Sequence, residues 1–176
     1  MPILTLDRLI ALLRQHASQS GQPVHLLLIG GMAMLAYGHP SRATTDVDGE
    51  LSEGVRSLKE FLSGHGVPAN LGQSLSGWSV VAMPPGYRDR ATVLINEPGL
   101  RMTLLSPLDF IIAKLRRGTD EDLEDAAWIA LRYHINAQQV REAANAALAA
   151  SLEDTALFLF ERTVNRFCKD LNSPAA

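Results

Sequence analysis

The chain has a single cysteine, Cys168, so no internal disulfide can form, a usage compatible with a reducing cytoplasm. Cys168 itself reads as a helix residue with a weakly polar side chain. Long apolar runs are missing. Stretches such as Leu26 to Gly31 are far too short to span a bilayer, so no membrane association is expected. The opening MPILTLDRLI lacks a basic n-region and a small-residue cleavage site, so no signal peptide is expected either. Basic charge is not in excess. A net charge of −3 argues against a broad surface for nucleic-acid backbone. The five histidines show no HExxH or other paired ligand spacing, which excludes a zinc site of that kind, and His39 reads as a surface-loop residue. No internal repeat or low-complexity segment is visible.

What is present suits one folded domain. The 176 residues are 47% hydrophobic and 20% charged, enough apolar content for a core and enough charge for a soluble globule. Apolar spacing predicts a helix over Thr5 to His16, a buried strand over Val24 to Ile29, and a helix over Met32 to Tyr37 ended near Gly38 and Pro40. A strand over Asp46 to Leu51 and a helix over Val55 to Leu62 come next. Three β-rich pieces, Trp78 to Met83, Ala91 to Ile95 and Arg101 to Leu105, are separated by Pro-Gly turns. From Ser106 the pattern turns helical. Ser106-Pro107 supplies a cap and a first-turn proline, Gly118 a left-handed stop, and Thr119 to Asp122 an acidic start. Ser151 to Asp154 reads as the opening of the last helix, Asn172 to Ala176 as a frayed tail, and Trp78 and Trp128 as core residues. The expected organisation is an α/β core over 1–105 and a helical C-terminal part over 106–176, forming one compact unit.

Most of the chemistry is concentrated in LIGGMAMLAYGHPSRATTDVDGEL, Leu28 to Leu51. An apolar run ends in Gly30-Gly31, a helix follows, and Arg42, Thr44, Asp46 and Asp48 close the pattern. Residues two apart in a strand face the same way, so Asp46 and Asp48 should project together. Carboxylates that close repel unless something positive lies between them. Mg²⁺, which takes one or two carboxylates plus phosphate oxygens, is the usual answer. The glycine pair permits close backbone approach, and the helix after it offers free N–H groups to a phosphate. Together these residues imply a site for a nucleoside triphosphate.

The motif resembles the polymerase-beta-like nucleotidyltransferase superfamily, whose signature is Gly-Gly or Gly-Ser followed by Asp-x-Asp or Asp-x-Glu. Gly30-Gly31 and Asp46-Val47-Asp48 fill those places. The fuller spelling, with Gly38, Arg42 and Thr44, is similar to the AbiEii-like branch, which includes toxins of bacterial toxin–antitoxin pairs. A second, looser region runs from Leu105 to Leu131, including DFIIAKLRRGTDEDLEDAAWI. There the resemblance implies a helical lysine, here Lys114, bordering the nucleotide pocket. It also implies a later Asp-x-x-Asp element, here Asp122 and Asp125, with Glu121 where a basic residue is usual; three apart on one helical face, the two acids could orient Lys114 or accept a substrate proton. Local positive clusters, Arg88 with Arg90 and Lys114 with Arg116 and Arg117, could hold a triphosphate or one end of an RNA.

The resemblance implies a small mixed sheet with flanking helices and a metal-dependent transfer of a nucleoside monophosphate from an NTP. The metal, Mg²⁺ or Mn²⁺, would be held by Asp46 and Asp48. Gly30, Gly31, Arg42, Thr44 and Lys114 would bind the nucleotide, and Asp46, Asp48, Lys114 and Asp122 would carry the catalysis. The acceptor would be an RNA, a protein or a small-molecule hydroxyl, and a cognate antitoxin or partner protein would accompany a toxin. The superfamily also places a third carboxylate on a strand beside Asp-x-Asp, yet Ser79 to Met83 and Thr92 to Ile95 contain no acid. Glu50 or another acid substitutes, one metal suffices, or catalysis is lost. Simpler roles stay open for each residue. Gly-Gly can serve packing, Asp46 a turn, Arg42 and Thr44 a loop brace, Lys114 a solvated helix face, and Asp122 a helix cap.

Overall fold

The computed structural model describes residues 3–172 and divides into two compact units. One comprises the described residues up to Ser74 together with Ala91–Leu104. The other comprises Leu75–Arg90 and the described residues from Leu105 onward. The class is mixed α/β, with five strands and seven α-helices among the described residues.

The first unit is a mixed sheet with three helices. Its elements in chain order are α1 (Leu6–Ser20), β1 (Val24–Ile29), α2 (Gly30–Ala36), β2 (Val47–Leu51), α3 (Val55–Gly64), β3 (Ala69–Gly72), β4 (Thr92–Glu97) and β5 (Leu100–Leu104). The strand order is β3-β2-β1-β5-β4. β1 lies at the centre, and four of its six residues, Val24, Leu26, Leu27 and Leu28, are buried. β1 pairs antiparallel with β2 and parallel with β5. The first pairing sets the site. Antiparallel alignment puts Ile29 opposite Asp48, so the exit of β1 meets the entry of β2 at one edge.

α1 starts as its sequence directs: Thr5 caps it by accepting from the Arg8 N–H, and Gly21 ends it at φ 67°. Its buried face is Leu9, Leu12, Leu13 and His16. Burial pushes the His16 pKa down, since no acid compensates the loss of solvent.

The second unit is built on α4 (Pro107–Arg117), α5 (Asp120–Arg132), α6 (Ala137–Ala149) and α7 (Leu157–Asn172). Ser106 caps α4 and Gly118 closes it in the left-handed region at φ 67°. Thr119 and Asp122 form a reciprocal capping box on α5, and Asn136 with Gln139 repeats the device on α6. Cys168 is buried on α7 near the Ala137 carbonyl.

Several sequence expectations change here. Trp78–Met83 is not a strand: Leu75–Trp78 is a short 3₁₀ turn and the residues after it are irregular. Side chains, not a ladder, satisfy its backbone. The Val81, Ala82 and Met83 N–H groups donate to Ser79, Ser151 and Ser76 hydroxyls. The Arg116 guanidinium donates to the Leu75 and Val81 carbonyls at 2.7 Å each. Trp78 is exposed, not core. Ser151 does not open the last helix, because its hydroxyl is taken by Ala147 O and Ala82 N, and α7 starts at Leu157. The frayed tail expected from 172 onward falls, after Asn172, outside the described residues. No helix among the described residues is long and apolar enough to cross a membrane.

Candidate nucleotide site

The first unit brings most of the motif together. Gly30 sits at φ 68°, a conformation that disfavours any side chain, and the Asp48 carboxylate occupies the place where a Cβ would stand. A Cβ on Gly31 would lie 2.9 Å from both Cβ and Oγ1 of Thr44. Thr44 in turn donates its hydroxyl to Asp46 Oδ1 at 2.6 Å. The two glycines are therefore required by the two acids: one leaves room for Asp48, the other for the threonine that orients Asp46. This interlock accounts for Gly30, Gly31, Thr44, Asp46 and Asp48 together.

The return loop is fixed from outside as well, because the Leu4 N–H donates to the Thr44 carbonyl at 2.8 Å. Asp46 and Asp48 are both half-buried, and Arg42 lies half-buried on the same loop. Two adjacent, solvent-reachable carboxylates beside a glycine pair are a hard-oxygen donor set, which fits a divalent cation completed by phosphate and water oxygens. α2 is only seven residues long, so its dipole adds little at this edge.

Replacing Gly30 tests the interlock. Gly30→Ala should cost about 1–2 kcal/mol from the left-handed backbone alone. It should also displace the Asp48 carboxylate, so any divalent-ion affinity should fall more than in Gly21→Ala. Gly21 shares a positive φ but meets nothing within 4 Å. Equal ion affinity in the two variants, read by titration, would dissociate Gly30 from the acid pair.

Lys114 and Asp122 are brought together inside the second unit. Lys114 is 6% exposed and its Nζ lies 3.2 Å from Asp122 Oδ1 and 2.7 Å from Asp125 Oδ2. It is not a solvated helix residue. Asp122 also accepts two bonds from Arg117 at 2.6 Å and one from the Thr119 hydroxyl at 2.7 Å. Asp122 is thus both the helix cap and the partner of Lys114. Burial alone would raise its pKa, but the Arg117 and Thr119 hydrogen bonds and the Lys114 charge outweigh that and hold it down to about 2.

The positive clusters are largely committed to internal partners. Arg116 holds carbonyls, and burial lowers its pKa to about 10. Arg90 forms a bidentate pair with buried Asp109 at 2.9 and 2.8 Å, and Arg88 stacks over Tyr87. A hollow at the other end of β1, lined in part by Arg14, Pro23 and Gly99, has its arginine paired with Glu97 at 2.6 Å.

The strand beside β2 escaped sequence reasoning. It is β3, whose parallel register sets Asn70 against Asp48 and Gly72 against Glu50. Pro68, Asn70 and Gly72, all poor strand formers, hid it. Glu50 lies on the face of β2 shared with Asp48 but is buried. Among the described residues no three His, Cys, Asp or Glu side chains converge as a metal-binding group.

A glycine pair at the end of a central strand, locked against an Asp-x-Asp at the start of its antiparallel neighbour, defines a nucleotidyltransferase-type site. The chain belongs to the family described as "Nucleotidyltransferase of unknown function (DUF6036)", whose model matches residues 3–171. No curated protein matches it.

Proposed function

We propose that this chain transfers a nucleoside monophosphate from an NTP to a hydroxyl, and that it does so as an AbiEii-like toxin of a bacterial toxin–antitoxin pair acting in the cytoplasm. The observation that carries the reading is the Gly30–Asp48 and Gly31–Thr44–Asp46 interlock, which conserves space and orientation for two acids at one edge. Asp46 and Asp48 would hold Mg²⁺ or Mn²⁺, whose chemistry here is to offset phosphate charge and align the leaving pyrophosphate. Gly30 and Gly31 would donate backbone N–H groups to the phosphates, while Thr44 keeps Asp46 in one rotamer and Arg42 steadies the loop. The acceptor oxygen bonds to the α-phosphorus as the α–β bridging P–O bond breaks. Pyrophosphate leaves with the electron pair and the hydroxyl proton passes to solvent. Catalysis in this scheme comes mainly from positioning and charge neutralisation. For Lys114 and Asp122, their mutual pairing favours support of α4 and α5 over direct contact with phosphate.

A second reading has its own support, the lack of three converging acids among the described residues. In it the chain is a catalytically degenerate nucleotidyltransferase fold that binds a partner, as an antitoxin-type protein would. One assay separates the two: the pure protein, Mg²⁺ and each α-labelled NTP, with total RNA, candidate proteins or an aminoglycoside as acceptor. Label transferred by wild type and lost in Asp46→Asn with Asp48→Asn supports the enzyme. NTP binding without transfer to any acceptor supports the module. A neighbouring gene for a small regulator would favour the toxin role.

A further inference from the structure

Asp48 has two lateral neighbours in the sheet, Ile29 on β1 and Asn70 on β3. Residues in lateral register share a face, and adjacent strands lie about 5 Å apart. Ile29 carries no oxygen. Asn70 does, and it is exposed, so its carboxamide stands beside Asp48 on an accessible stretch of the same face. We infer that Asn70 is the third, neutral member of the Asp46–Asp48 site and limits that site to one divalent cation. The inference rests on the reading of Asp46 and Asp48 as a cation-binding pair.

The chemistry follows from the carboxamide. Its carbonyl oxygen is a hard acceptor able to ligate a divalent cation or the water bound to one, and its NH₂ donates to phosphate or carboxylate. It brings no charge, so the two acids contribute −2, matched by one divalent ion. It also cannot take up a proton near neutrality, so it cannot act as the base that a carboxylate at this position would be. Glu50 does not replace it, because it is buried and joins no three-acid group among the described residues. Asn70 therefore acts by positioning the ion and its ligands.

The test uses the full chain and Mn²⁺ alone, with bound ion counted by electron paramagnetic resonance. Four variants are compared with wild type: Asn70→Asp, Asn70→Ala, the Asp46→Asn with Asp48→Asn double substitution, and Asn96→Asp. The last adds the same charge at an exposed position on β4, the far edge of the sheet. Wild type should bind one Mn²⁺ at this site. Asn70→Asp should bind about tenfold more tightly or take up a second ion, because affinity rises with ligand charge. Asn70→Ala should bind about tenfold more weakly, the low end of the range for loss of a ligand-supporting partner. Asn96→Asp should match wild type. Thermal melts check folding, and Asn70→Ser replaces any Asn70 variant that does not fold. If the double substitution abolishes binding while every Asn70 variant behaves as wild type, the inference fails and the two-acid reading stands. If the double substitution leaves Mn²⁺ affinity unchanged, or wild type binds none, both fall.

Discussion

Lys114→Ala should destabilise the second unit by about 3–5 kcal/mol, the range for removing one partner of a buried ion pair. The reason is what stays behind. Asp125, 4% exposed, loses the ammonium 2.7 Å away, and Asp122, 1% exposed at its side chain, keeps only Arg117 and Thr119. Lys114→Met, which preserves apolar bulk, should be nearly as damaging because it leaves the same charges. Combining Lys114→Met with Asp125→Asn should recover much of the loss. Urea denaturation measures all three. A Lys114→Ala change within about 0.5 kcal/mol, the ordinary range for exposed positions, would mean that the ammonium is solvated in solution.

The same cluster fixes an acid limit. Asp122 has its pKa lowered from the ordinary 3.8 to about 2 in the folded chain. A depressed acid contributes stability that is present above its unfolded pKa and disappears as pH falls through the folded one. Here that is about 2 kcal/mol, complete above pH 4 or so and lost toward pH 2. Melting temperatures taken from pH 5 down to pH 2 should fall through this window. Arg117→Ala, which removes the closest cation, should bring the folded pKa back up toward 3.8 and so shrink that fall. A wild-type profile that stays flat across the window would remove Asp122 from the account.

The site was legible because its parts are local. Gly30-Gly31, Thr44, Asp46 and Asp48 lie within nineteen residues, and each explains another by direct contact. The caps of α4 and α5 were legible for the same reason: Ser106, Gly118 and Thr119 act on their own helices. What the sequence hid depends on partners far along the chain. Trp78–Met83 has the apolar content of a strand, but the N–H groups of Val81, Ala82 and Met83 are satisfied by serines, one of them Ser151, and the Val81 carbonyl by Arg116. β3 was hidden twice over, by the proline before it with its own asparagine and glycine, and by pairing parallel to a strand some twenty residues back. Missing β3 meant missing Asn70, since the residue beside Asp48 can be named only once the neighbouring strand is known. Asp122 and Asp125, three apart on one face of the next helix, were legible as partners that could orient Lys114, but a helical wheel cannot show that the ammonium between them is buried.

An NTP with Mg²⁺ should raise the melting temperature of the wild-type chain and leave the Asp46→Ala, Asp48→Ala double variant where it was. A ligand that binds only the folded state at a hundred times its Kd stabilises by about 2.7 kcal/mol. For a chain of this size each kcal/mol corresponds to roughly 2–4 °C, so the expected shift is about 5–10 °C. Asp46 and Asp48 carry the effect in this account because they are the adjacent, half-exposed acids at the glycine pair. Removing both also eliminates their mutual repulsion, so the unliganded variant should be at least as stable as wild type unless its side chains brace the loop. Thr44→Val separates those roles. It takes away the 2.6 Å hydrogen bond that orients Asp46 but keeps both carboxylates, so a reduced shift with an unchanged baseline assigns Thr44 to positioning. Mg²⁺ or NTP alone should give much smaller shifts than the two together, because each supplies oxygens or charge that the other needs. Equal shifts in wild type and the double variant would show that the nucleotide binds without these acids, and the proposed metal site would have to be abandoned.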